Sequence, residues 1–283
     1  MNFSVIIPSY NQGQFISEAL ESVLKNTAHL SALPDTGEKH KNTIPVEIIV
    51  VDNCSTDGTR EVVHSVIQQF GSANIHFISE PDRGQTEAIN KGLEISTGEI
   101  LTYLCADDFY ESYTFTAVLA AFNEDPDADV VYGDGHFLEG DSGWRRLKRA
   151  GPFSIERLRN RNFVIQPATF WRRRVYEEFG PLDDSLHYCM DNEYWLRIAD
   201  QTTWYYCHQP LATARLHCDA KTSSQLVNAW NETAFMAERY GIGTRYQFIA
   251  IQMRLYGAWW YGFKRRILRQ LGKVRMLLLR FIP

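Results

Sequence analysis

The strongest constraint on this chain lies in its first 105 residues, where short apolar runs alternate with stretches of helical spacing. Phe3-Ser4-Val5-Ile6-Ile7 is a β-branched run ended by Pro8. Phe15, Ile16, Ala19, Leu20, Val23 and Leu24 then share one helical face. Val46 to Val51 is a second buried strand, and Val62, Val63, Val66, Ile67 and Phe70 mark a second amphipathic helix. Ile75 to Ile78, a helix around Thr86–Ile95 and a strand from Ile100 to Leu104 complete the pattern. Strands alternating with helices of this length imply parallel βαβ units, and continuously apolar strands fit a sheet covered on both faces. The expected class is α/β, with a Rossmann-like, mostly parallel central sheet flanked by helices.

Beyond residue 105 the pattern is mixed. A helix is expected over 114–123, a short strand over Asp129–Tyr132, an extended segment from Val164 to Trp171 and a helix from Asp191 to Asp200. The polar stretch between Thr27 and Pro45 has no periodicity and reads as a surface loop. Thr222 to Pro283 reads as a C-terminal extension of two or three helices. The predicted division is 1–219 for the α/β body, in two halves over 1–105 and 106–219. The extension takes 220–283.

In open α/β sheets ligands bind beyond the carboxyl ends of the strands. Four such places, Pro8–Asn11, Asp52–Asp57, Glu80–Arg83 and Cys105–Asp108, carry polar or acidic residues directly after an apolar strand. Asp107 and Asp108 are adjacent carboxylates that repel each other unless a cation is present, and hard oxygen ligands suit Mg²⁺ or Mn²⁺. By themselves they fit a solvated loop or a helix N-cap before Phe109-Tyr110-Glu111 better than a metal site. Asp52 can accept hydrogen bonds from a base or ribose, whereas Ser55, Thr56 and Asp57 are good capping residues. Arg83 suits a phosphate, a carboxylate of the rim, or a plain turn. Asp191-Asn192-Glu193 opens a helix, where the dipole favours an acid. A general base there must also reach an acceptor hydroxyl. His217 is a candidate third metal ligand or a structural histidine.

Taken in order, these segments resemble family 2 glycosyltransferases, which have the GT-A fold. The matching stretches are Val5-Ile-Ile-Pro-Ser-Tyr-Asn11, Glu47-Ile-Ile-Val-Val-Asp-Asn-Cys-Ser-Thr-Asp57, Glu80-Pro-Asp-Arg-Gly84 through Asn90-Lys-Gly92, Thr97-Gly-Glu-Ile100, Ala106-Asp-Asp108, Tyr132-Gly-Asp134 and Asp191-Asn-Glu-Tyr-Trp-Leu-Arg197. The resemblance implies Pro8 and Tyr10 beside the nucleotide and Asp52 on the base or ribose. Arg83 and Lys91 would lie near the donor, with Asp107 and Asp108 on the metal and diphosphate. Asp191 would be the general base, and His217 a metal ligand, as in some members. It implies inverting transfer with no covalent enzyme intermediate. Two positions depart from the family's usual pattern: Cys105 stands first in the acidic motif, and Met190 precedes Asp191. The Gln-x-x-Arg-Trp motif of processive synthases is absent, so one sugar per acceptor is expected. The implied partners are a UDP-, GDP- or dTDP-sugar and a sugar or lipid-linked acceptor in surface polysaccharide or glycolipid assembly.

Charge divides the chain unevenly. The net charge is −5, yet residues 245–283 carry nine Lys/Arg and no Asp/Glu, leaving 20 basic against 34 acidic residues elsewhere. Trp259, Trp260, Tyr261 and Phe263 precede Lys264-Arg265-Arg266. Such a segment suits an anionic membrane surface, a packing helix of an oligomer or docking on the acidic body, and the acidic body argues against nucleic acid. The five cysteines have no metal-type or disulfide-type spacing and read as reduced thiols. No signal peptide or spanning run is visible, so the expectation is a cytoplasmic protein, peripheral on the inner face of a membrane. Two other readings stay open. A nucleotidyltransferase would need a basic Gly-rich loop after strand one, where Ser9-Tyr-Asn-Gln-Gly-Gln14 has no Lys or Arg. A non-catalytic scaffold would not need Asp107, Asp108 and Asp191.

Overall fold

The computed structural model describes residues 1–31, 45–71, 74–139, 143–217 and 226–242. Its centre is β1 (Phe3–Ser9), buried at all seven residues. β1 pairs in parallel with β2 (Val46–Asp52) and with β4 (Ile100–Tyr103), and β2 with β3 (Ile75–Ser79). Pro8 lies inside β1 rather than ending it. The ladder to β4 closes with the Leu104 N–H donating to Ile6 O. Pro8, two residues on, faces the same side, where β4 has stopped, so its missing N–H leaves no rung unmade.

Helices α1 (Ile16–Ser31), α2 (Thr59–Phe70) and α3 (Gln85–Ile95) connect these strands. The remaining strands are β5 (Phe109–Tyr110), β6 (Val130–Glu139), β7 (Trp144–Lys148), β8 (Thr169–Arg172) and β9 (Trp204–Leu216). The sheet order is β3-β2-β1-β4-β8-β6-β9-β5, with β7 on β6. The first half is parallel. In the second half β8 runs antiparallel to β4 and β6, while β6 and β9 are parallel with a bulge at Gly133–Asp134. Helices α4 (Thr114–Glu124), α5 (Ile155–Asn160), α6 (Arg173–Phe179), α7 (Met190–Ile198) and α8 (Leu226–Arg239) surround this half.

One apolar core runs through both halves. Phe3 stacks on Phe115 at 4.8 Å, and Phe170 meets both edge-on. A second aromatic chain joins Trp171, Trp195 and Trp204.

Several expected elements shift. Thr27 to Ser31 is helix, not loop: Leu30 is buried, and the Asn26 side chain donates to Ser22 O and Glu111 O, which carries α1 one turn further. The rest of that expected loop, 32–44, lies outside the described residues. β6 continues to Glu139 because β9 and β7 supply its hydrogen bonds, so its outer part needs no apolar run. β9 shows no clear alternation and is legible only through that pairing. Val164 to Trp171 splits into a 3₁₀ turn at Gln166–Ala168 and β8.

Part of the ordered motif set is scaffolding. The Thr97 N–H and hydroxyl and the Ser4 hydroxyl donate to Glu47, and the Gly98 N–H donates to Ser4 Oγ. This network ties the amino ends of β1 and β2 to the turn before β4. A Cβ on Gly98 would sit 2.5 Å from Ser4 N and 2.7 Å from Phe3 C. Both are backbone atoms and cannot step aside. Gly98→Ala should therefore destabilise the protein by about 1–3 kcal/mol, lowering the melting temperature by several degrees. An unchanged thermal unfolding curve would contradict this close approach.

Candidate active site

The carboxyl ends of β1, β2 and β3 release three loops that are stitched together. Asn11, at φ 51, donates its N–H to Ser55 Oγ (2.8 Å) and accepts from Thr56 N–H (3.0 Å). The Gly13 N–H donates to Asp57 Oδ2 (2.9 Å). Burial works to raise the Asp57 pKa, but hydrogen bonds from Thr59 and Gly13 outweigh it and hold the carboxyl below the usual range. Asn53 bridges to the main chain of Asp82 through both its amide atoms.

Asp52 is buried beneath this rim. It accepts from Ser55 N–H and Ser79 Oγ at 2.9 Å each, and from Ser55 Oγ. Its carboxylate thus holds the loops in place. Tyr10, just past β1, is 59% exposed. Ser9 Oγ, Gln12 Oε1 and Asp82 Oδ2 are buried and lack a partner within the protein. Buried polar atoms are nearly always paired, so three orphans along one strand-end rim fit a polar ligand. Burial is also the main cause of the raised Asp82 pKa.

Arg83 and Lys91 form a separate charged group at the third strand. Arg83 binds Glu87 (2.6 Å) and Asp184 (2.5 Å); Lys91 binds Glu80 (2.8 Å) and donates to Pro81 O. Both are neutralised by neighbouring acids, so their contact with a donor phosphate requires these pairs to be exchanged.

The turn after β4 holds the densest chemistry. Donor atoms of Cys105, Asp107 and Asp108 all lie within 4.8 Å of one another. Asp108 Oδ1 accepts the Arg215 N–H at 2.9 Å, and the Asp107 carbonyl accepts from Arg215 Nε. Burial first, then the charge of Asp107, pushes the Asp108 pKa well up. Two acids held this close in a buried turn are a cost that a divalent cation would offset, and the set fits one. His217 Nε2 lies 2.9 Å from Asp107 Oδ2, and its ring rests against Phe15. It reaches the cluster through Asp107. Cys105, which stands where the family usually has an acid, is nonetheless in the group. Gln85 Nε2 reaches its sulfur at 3.1 Å.

Asp191 begins α7. Burial raises its pKa, opposed by the N–H groups of Asn192 and of Asp191 itself, by Lys148 and by a hydrogen bond from Asn162. Tyr103, fully enclosed at the end of β4, is pushed far above the tyrosine range by burial and by the charges of Asp191, Cys105 and Asp108. The charges of the α7 acid and of the β4 turn thus both act on this one side chain. Asp134, part of the ordered motif set, is elsewhere: it accepts from Ala150 N–H and Tyr206 OH and supports the bulge.

α8 docks on the approach to α7. Glu232 accepts from the N–H groups of His187 (2.8 Å), Tyr188 (2.6 Å) and Cys189 (3.2 Å), and Arg239 binds Asp183 (2.6 Å). Glu232, Asn162, Arg215 and Cys105 were not legible as site residues. Only Cys105 carried a signal, through its place in the acidic motif.

The model for glycosyl transferase family 2 matches residues 4–180. A PGL/p-HBAD biosynthesis glycosyltransferase of Mycobacterium tuberculosis is 29% identical over 180 residues, 63% of this chain and 62% of that protein. The chain thus spans less than two thirds of that relative's length. Among solved structures, S. aureus TarS 1-349 in complex with UDP-GlcNAc shares the fold with a TM-score of 0.62 and 20% identity, over 84% of this chain and 66% of that one. The mannosyltransferase PcManGT from Pyrobaculum calidifontis, in complex with GDP-Man and Mn²⁺, does so with a TM-score of 0.57 and 19% identity, over 82% and 63%. These likenesses show the GT-A-like architecture.

Glu232→Ala should cost about 1–3 kcal/mol in thermal or urea unfolding, because three main-chain donors lose one acceptor. Glu232→Gln, which keeps an acceptor oxygen, should lose less. Equal stability of all three proteins would count against the latch.

Proposed function

This chain belongs to glycosyl transferase family 2, and we propose that it transfers a single sugar, with inversion, from a nucleotide-sugar donor to an acceptor hydroxyl. The observation that carries this reading is the Cys105, Asp107 and Asp108 cluster in the turn after β4, with the charge of Asp191 acting on Tyr103 at the end of the same strand. A carboxylate to take the acceptor proton and a cation-binding pair for the diphosphate are what direct displacement at an anomeric carbon needs. The donor is a UDP-, GDP- or dTDP-sugar, in keeping with the UDP-GlcNAc and GDP-Man complexes of the structural neighbours. Pro8, Tyr10 and Asp52 line or support the nucleotide end, with Arg83 and Lys91 beside the diphosphate. The PGL/p-HBAD biosynthesis relatives favour an acceptor in glycolipid or surface polysaccharide assembly.

Asp107 and Asp108, with Cys105 or His217 beside them, would hold Mn²⁺ or Mg²⁺. Such an ion supplies charge neutralisation to the departing diphosphate. The remaining work falls to the chain. Asp191 takes the proton of the acceptor hydroxyl. The freed oxygen forms its bond to the anomeric carbon as the carbon–oxygen bond to the nucleotide diphosphate breaks, and the diphosphate leaves with that electron pair. Asn162 and the α7 N–H groups keep the Asp191 carboxylate aimed and ionisable.

Asp191 must be ionised to act, and burial raises its pKa above the ordinary aspartate value of about 3.9. The acid limb of kcat/KM should lie above that value, with activity lost as pH falls through it. Asn162→Ala removes a bond that favours the charged form and should move the limb to higher pH. Asp108→Ala should abolish Mn²⁺-dependent release of nucleotide diphosphate from the donor. Asp191→Asn should reduce transfer by at least about a hundredfold. Full turnover in Asp191→Asn would remove the base assignment, and metal-independent turnover in Asp108→Ala would remove the cation pair. A nucleotidyltransferase would instead consume a nucleoside triphosphate, and a scaffold would release no diphosphate at all.

Among the described residues no helix is long and apolar enough to cross a membrane. Residues 245–283 lie outside them. Their nine cations support attachment to an anionic membrane surface. Full-length protein should pellet with phosphatidylglycerol vesicles at low salt and tail-deleted protein should not. Equal, weak pelleting would end that reading.

A further inference from the structure

Three cations stand near Asp191 and make no ion pair among the described residues, although the charge of Asp191 acts on one of them, Lys148. β7 lies against β6 so that Arg146 faces Phe137 and Lys148 faces Gly135. The alternation of the strand puts Arg146 and Lys148 on one face, both over the Phe137 ring at 5.5 and 5.3 Å. Arg145 points the other way and binds Glu111 and Thr213. Arg161 follows α5, next to Asn162, whose side chain hydrogen-bonds Asp191. Burial is the main cause of the lowered Lys148 pKa; the charges of Arg161 and Arg146 lower it further, and that of Asp191 opposes them.

Their neighbours in sequence are paired: Arg145 with Glu111, and Arg159 with Asp200. Among the described residues no carboxylate lies within ion-pair distance of Arg146, Lys148 or Arg161. Lys148 is half-buried while Arg146 and Arg161 are exposed, so the three like charges repel and Lys148 also loses hydration. Such a cluster becomes favourable when an anion enters it, and phosphate matches the donors of Arg and Lys. Asp107 and Asp108 would draw the donor diphosphate to the β4 turn, whereas this group sits on the hairpin and α5 side of Asp191.

We propose that Arg146, Lys148 and Arg161 form an anion subsite beside Asp191 that holds a phosphate group of the acceptor, so that the acceptor is a phosphate ester carrying a free hydroxyl. The subsite rests on the reading that Asp191 marks the acceptor end. It narrows that reading to acceptors with a phosphate near the hydroxyl to be glycosylated. The phosphate is either on a free ester or in a lipid headgroup.

The test uses the full chain and its variant Lys148→Met/Arg161→Gln, which keeps side-chain bulk. Melting temperature is followed against glycerol phosphate, with glycerol as the uncharged control, each with and without UDP and Mn²⁺. A parallel arm measures retention on phosphatidylglycerol vesicles against phosphatidylcholine vesicles. Glycerol phosphate, but not glycerol, should stabilise the wild type. The double variant should bind it about a hundredfold more weakly, roughly tenfold per cation removed. Its own UDP-induced shift should stay intact, showing that it folds. A dependence on these residues seen only with phosphatidylglycerol vesicles would support the subsite and assign the phosphate to a lipid headgroup. If wild type and variant respond equally in both arms, or neither responds, the subsite is overturned. Absence of the UDP shift in the wild type would count against the transferase reading, while the arms without UDP still decide the subsite.

Discussion

The parallel pairing of β1 between β2 and β4 is the constraint on which the rest depends. A strand buried on both faces and bonded on both edges has no freedom to slide, since a one-residue slip would turn its side chains to the wrong face. Parallel neighbours also end on the same side. The chain must then release its polar residues at one edge of the sheet: Asn11 after β1, Asn53 after β2, Asp82 after β3 and the Cys105–Asp108 turn after β4. Chemistry collects there because apolar packing leaves nowhere else for it to go.

The loops at that edge are held from within. Asp57, Asn53 and Asp52 spend their hydrogen-bonding capacity on main-chain groups and hydroxyls of neighbouring loops. The rim is therefore shaped before any ligand arrives, and the unpaired oxygens of Ser9, Gln12 and Asp82 are left over once the loops have satisfied each other. The Asp107–Asp108 turn differs in kind. Its repulsion is relieved only in part, by the N–H and charge of Arg215 and by His217 against Asp107, and the remainder is what a bound cation would offset.

The first four strands and their helices could be read from spacing alone, because a buried parallel strand has to be continuously apolar. β6 and β9 could not. Their outer portions satisfy the main chain against each other while exposing polar side chains, so length is set by a partner distant in sequence. The same divide runs through the site. Asp107, Asp108, Asp52 and Asp191 stood out as acids at strand or helix ends. Lys148, Asn162 and Glu232 look like ordinary surface residues until the fold brings them to α7. In the other direction, Glu47, the Thr97-Gly98 pair and Asp134 belong to the ordered motif set yet serve the scaffold, since a pattern shared by a family preserves close backbone approaches as firmly as it preserves reactive groups.

The hold of Glu232 on the turn before α7 gives the C-terminal extension a part in the architecture that its position suggests it lacks. The acid that begins α7 is framed on one side by a segment some forty residues later in the chain. A swap of extensions between relatives at about residue 220 would thus exchange more than a membrane or partner address. It would also exchange the support under the start of α7, because the incoming helix would have to offer a carboxylate to the same three amides.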